Sequence, residues 1–276
     1  MRTAPPAAGA LGAEGVHREI GAKRGGRRPL RAGPRERLER STPSAPNAPA
    51  ARLEHDPASP EPRQVARHRR SVAWCPAMLP WLVAFFVFAV TDWAAVAVRA
   101  RSVEWVAKPA ALAALIGWVA TTAAPQPWLV AALVCSLAGD VFLMLPADLF
   151  RAGVAAFLLA HFAYLVVIPA PLAARLGWWA ALLVVTAPIG LRVVRAVPSA
   201  TLRGSIVVYA LALTAMTASA IASGSAIAAL GATLFLASDT LIAWDRFVAP
   251  QPWGKPVIMV TYHLAQLALA SALRFA

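Results

Sequence analysis

Cysteine is nearly absent from this chain: there are two, Cys75 and Cys135, and neither belongs to a C-x-x-C pair. That excludes a disulfide framework and a cysteine zinc site. Acidic residues are also scarce, 13 against 26 Lys and Arg, and only six of them follow residue 70. None of the five histidines stands in an H-x-x-x-H or H-E-x-x-H spacing, so no metal and no cofactor is expected. There is no G-x-S-x-G, and Ser136 and Ser238 read first as helix-packing residues rather than nucleophiles.

Residues 1–70 lack any hydrophobic period and hold 15 Lys and Arg and seven Asp and Glu among Pro, Ala and Gly. Such a segment cannot bury enough apolar surface to offset chain entropy, so a disordered basic tail is expected. Its basic residues are scattered among prolines with no interleaved aromatics, which argues against nucleic-acid binding. Nor does it read as a cleaved signal, because the apolar stretch comes late and continues into a full span. Met78, the first methionine after Met1, directly precedes that stretch, and an alternative start there would leave the tail untranslated. The sequence thus divides into a tail, 1–77, and a membrane domain, 78–276, with the tail expected to be dispensable.

What is abundant is apolar sequence: 59% of the chain, at a mean hydropathy of +0.61. This is the composition of a multi-pass membrane protein. A spanning helix needs roughly 20 residues, and eight apolar runs qualify, at about 79–98, 106–124, 127–145, 150–168, 177–195, 203–222, 226–244 and 256–275. Prolines and Gly224 fall between them, and Pro188 within the fifth is expected to kink it. Nine Lys and Arg, among them Lys108, Arg192, Arg246 and Lys255, follow odd-numbered spans, against six elsewhere near the membrane domain. The odd loops therefore read as cytoplasmic, in the plasma membrane if the host is bacterial.

Two spans carry a lone aspartate in nearly the same words: "SLAGDVFLML" around Asp140 and "FLASDTLIAW" around Asp239. His161 follows Asp140 by 21 residues and His263 follows Asp239 by 24. This reads as a weak duplication of four spans each. An even number of spans preserves direction, so the halves would be parallel, related by an axis along the membrane normal. Both aspartates then lie at one depth, where they could face one central cavity.

A carboxylate at a helix centre costs about 2.5–3.5 kcal/mol on insertion scales. The functional reading of Asp140 and Asp239 is an acid and a base in a dry site; the structural alternative is a pair of hydrogen-bonded helix ties. His161 and Tyr164 share a helix face, as do Tyr262 and Gln266. They either line the cavity or tie helices together. Lys108 and Lys255, each before a proline, read as snorkelling residues, or as cations for a lipid phosphate.

The stretches "KPAAL" at 108, "SLAGDVFLML" at 136, "GVAAFLLAHFAYL" at 153, "VVYALALTAM" at 207, "GATLFLASDTLIAWDRF" at 231 and "YHLAQLAL" at 262 together resemble the YhhN family of membrane proteins, which includes the animal lysoplasmalogenases. The resemblance covers about 80–276. It implies an eight-span fold and hydrolysis of the vinyl-ether bond of lysoplasmalogens, with a lipid substrate and the bilayer as partners. Asp140 and Asp239 are then the expected catalytic pair. Lys108, His161, Tyr164, Tyr209, Ser238, Tyr262 and Gln266 are expected to contact substrate. A small transporter or lipid flippase using the same carboxylates is the alternative, and a membrane scaffold a third.

Overall fold

Proline and serine mark where the helices begin. In a computed structural model that describes residues 78–122 and 124–275, Pro80 lies in the first turn of α1 (Leu79–Ala97) and Pro127 opens α3 (Pro127–Met144). Pro171 precedes α5 (Leu172–Ala196). A first-turn N–H has no intrahelical partner, so proline costs nothing there. Ser199 and Ser225 cap α6 (Ala200–Ala222) and α7 (Ala226–Phe247), accepting from the N–H of Leu202 at 3.4 Å and Ala228 at 3.3 Å. Gly224 turns the chain between them at φ 74°, where a Cβ would be strained. With α2 (Arg101–Ala120), α4 (Phe150–Val167) and α8 (Gly254–Leu273), the described residues form eight helices and no strand.

All eight are long and apolar enough to cross a membrane. The chain is an all-α, multi-pass integral membrane protein. The tail assigned to 1–77 lies outside the described residues.

The two largest differences from the expected borders each arise because charge lies inside a helix. α5 begins at Leu172, not 177, and α4 ends beside it. Arg175 turns back to donate to the carbonyls of Ala170 at 2.9 Å, Leu165 at 3.4 Å and Ile168, satisfying the end of α4. α2 begins at Arg101, not 106, which carries Lys108 two turns into the helix, where it is 5% exposed. The snorkelling reading of Lys108 is thereby corrected, and Asp140 supplies its counter-charge.

Consecutive helices pack in pairs, α1 on α2, α3 on α4, α5 on α6 and α7 on α8, and α4 also packs on α6 and α1 on α8. Association in lipid depends on close approach, which small residues permit. A Cβ on Gly139 of α3 would meet the Phe157 ring of α4 at 2.6 Å, and one on Gly231 of α7 would meet the Leu269 nitrogen of α8 at 3.0 Å. One helix stands apart: in α5 only Val193 is buried.

Candidate active site

Asp140, on α3, is 1% exposed. Its Oδ1 lies 3.0 Å from Lys108 Nζ of α2, and its Oδ2 accepts from the Tyr262 hydroxyl of α8 at 2.7 Å. The ammonium also sits 5.8 Å from the Tyr262 ring centre. A buried carboxylate needs both a counter-charge and hydrogen bonds to stay ionised. Asp140 has both.

Among the described residues, no Lys or Arg forms an ion pair with Asp239, on α7. Its Oδ2 accepts from the Tyr209 hydroxyl of α6, and His161 Nε2 of α4 lies 3.8 Å from the same oxygen. His161 Nδ1 stands 2.6 Å from the Phe157 carbonyl. A carbonyl only accepts, so Nδ1 carries the ring proton and Nε2 turns its lone pair toward Asp239. At 3.8 Å the two are in ion-pair range but not hydrogen-bonded.

The two settings mirror each other. Each aspartate is the fourteenth residue of its helix. Each is held by the preceding helix of its own half, Lys108 or Tyr209, and by the last helix of the other half, Tyr262 or His161. The settings meet at Phe235, whose ring centre is 5.0 Å from that of His161 and 5.6 Å from that of Tyr262.

Of the two carboxylates, Asp239 lines a cleft. A cleft of about 250 Å³ between α4, α5, α6 and α7 is lined by Phe157, Ile189, Leu213 and Phe247, with Asp239 and Tyr209 in its wall. Asp140 does not line it, so the expectation of one cavity faced by both carboxylates is corrected. Asp140 is bonded instead to Lys108 and Tyr262. The cleft is almost wholly apolar, and its outer side is the weakly packed α5.

The remaining expected residues divide. Tyr164 donates to Gln266 Oε1 at 2.5 Å, tying α4 to α8 in the buried interior. Ser238 turns to the Ile258 carbonyl of α8, 3.4 Å away, and takes no part in either carboxylate setting. All three tyrosines of the chain, Tyr164, Tyr209 and Tyr262, lie in these buried networks. Asp92 of α1 is a third buried carboxylate that the sequence reading passed over. It is 0% exposed, neither oxygen has a hydrogen-bond partner, and His263 Nδ1 lies 4.0 Å away. That nitrogen accepts from Trp93 Nε1 at 3.0 Å. The available signal was position, since Asp92 is also the fourteenth residue of its helix. Among the described residues, no group of three or more His, Cys, Asp or Glu lies together to hold a metal ion.

Comparison with known proteins places the chain in a family. Residues 103–273 match the family model described as the YhhN family. The chain is 40% identical over 148 residues to Lysoplasmalogenase TMEM86B of Homo sapiens, covering 52% of this chain and 62% of that protein. It is 38% identical over 143 residues to the Sus scrofa protein of that name, covering 50% and 60%, and 35% over 169 residues to that of Mus musculus, covering 57% and 69%. The chain therefore spans about three-fifths of the length of the human and pig relatives. No solved structure matches.

Proposed function

The chain belongs to the YhhN family, and on that premise we propose that it hydrolyses the vinyl-ether bond of lysoplasmalogen-type lipids. The relatives' name, lysoplasmalogenase, supports that reading. The observation that carries it is the Asp239 carboxyl in the wall of an apolar 250 Å³ cleft. That volume is below the roughly 300–1,000 Å³ of ordinary ligand pockets and suits one hydrocarbon chain, not two. A lysoplasmalogen has one chain, with its reactive bond at the polar end.

Asp239 is the acid in this reading. It lacks a cation, so its proton is retained, and His161 Nε2 and the Tyr209 hydroxyl orient it. It delivers that proton to the outer vinyl carbon, and the inner carbon becomes an oxocarbenium ion. The Asp239 carboxylate left behind stabilises the cation and takes a proton from attacking water. The hemiacetal then collapses: its hydroxyl proton passes to the glycerol oxygen, the carbon–oxygen bond breaks, and a fatty aldehyde leaves. One water is consumed and Asp239 ends protonated. Asp140, held ionised by Lys108 and Tyr262, adds a fixed negative charge behind the site.

The test is purified protein in D₂O with a 1-alkenyl lysophospholipid and its saturated 1-alkyl analogue. Aldehyde from the alkenyl lipid alone, with one deuterium on carbon 2, is expected. No aldehyde, or aldehyde without deuterium there, would overturn the proposal.

A further inference from the structure

Of the two lysines read as cations for a lipid phosphate, Lys108 is buried against Asp140 and Lys255 does not line the Asp239 cleft. A substrate phosphate at this site needs another cation, and Arg246 stacks on two rings of the cleft wall. The loop-side end of the cleft is walled by Phe150 of α4 and Phe247 of α7. The Arg246 guanidinium lies 4.0 Å from the Phe150 ring centre and 5.9 Å from that of Phe247. Arg192 of α5 lies over Trp244 at 5.4 Å on the same rim.

The spacing is also right. Arg246 follows Asp239 by seven residues, which is two helical turns, so both lie on one face about 10 Å apart along the axis. In an ether lysophospholipid the vinyl-ether oxygen and the phosphate are joined by the three glycerol carbons. With the reacting bond at Asp239, that bridge and the arginine's own reach bring the phosphate to Arg246. Two carboxylates lie nearby. Asp245 Oδ1 accepts from the Gln251 N–H at 2.9 Å. Asp148 Oδ1 accepts from Arg246 at 2.8 Å, with the two side chains 73% and 40% exposed. An exposed pair of that kind contributes little and is readily exchanged for a phosphate, which arginine binds with two parallel hydrogen bonds.

We propose that Arg246, at the mouth of the Asp239 cleft, is the binding site for the phosphate of the lipid headgroup, and that Asp148 occupies it when no lipid is bound. The proposal rests on the hydrolase reading for its substrate class, but its test does not require hydrolysis.

The full chain in detergent is titrated with two uncleavable probes, a 1-alkyl lysophospholipid and the matching phosphate-free 1-alkylglycerol, and the ratio of their affinities is read. Arg246→Gln should lower that ratio about tenfold, the loss of a charge-assisted hydrogen bond. Asp148→Asn should raise it, a direction that misfolding does not mimic. An unchanged ratio in both variants would overturn the site. Free glycerophosphate competing as well as the lipid would overturn its assignment to a lipid headgroup. Absence of aldehyde release, with the ratio responding as expected, would overturn the hydrolase reading and leave this site supported.

Discussion

Lys108 and Asp140 carry opposite charges where neither can reach water. Removing one partner of such a pair leaves a buried unpaired charge, at a cost of about 3–5 kcal/mol, while replacing both with apolar groups of like volume is often neutral. Lys108→Met should therefore lower thermal stability sharply, and the double change Lys108→Met, Asp140→Leu should recover it without recovering turnover. Thermal unfolding in detergent together with aldehyde release checks both halves. Recovery of activity in the double variant would remove Asp140 from the chemistry. Asp140 and Asp239 were legible in the sequence because they sit in repeated words among apolar residues. Lys108 was misread because sequence spacing does not reveal a counter-charge on another helix. Asp92 was passed over because its stretch has no echo elsewhere, and its partner His263 lies 171 residues away.

Helix count followed from apolar runs and breakers, since a span has few alternatives in hydrocarbon. Helix neighbours did not. α5 has a hydropathy like the others, yet only 6% of its most apolar window is buried. Periodicity cannot report this, because lipid and protein interior are equally apolar to a side chain. The cleft exists because α5 leaves a gap beside α4, α6 and α7. Thr186→Trp, on the cleft face of α5, should fill that gap and select for shorter chains. The KM for a sixteen-carbon alkenyl substrate should rise about tenfold more than for an eight-carbon one, as expected for an anchor of about 1.4 kcal/mol. Equal changes for both lengths would show that the chain lies elsewhere.

At the scale of the molecule, the first four and the last four helices each carry a buried aspartate at the same helical position, and each set places a side chain beside the other's aspartate. The settings are alike in position and unlike in chemistry. Asp140 pairs with Lys108, while Asp239 meets the Tyr209 hydroxyl and stands 3.8 Å from His161. The measurement that bears most directly on this division is the turnover of Asp239→Asn in protein that is folded and still binds the saturated ether lipid. Asparagine keeps the shape and cannot exchange a proton, and a positioned acid is worth about 10²–10⁴-fold in rate. A fall of at least about 10²-fold, with binding retained, is predicted. Turnover at the wild-type rate would contradict the assignment of Asp239 as the acid, and with it the account of why the chain carries its carboxylates in a matched pair.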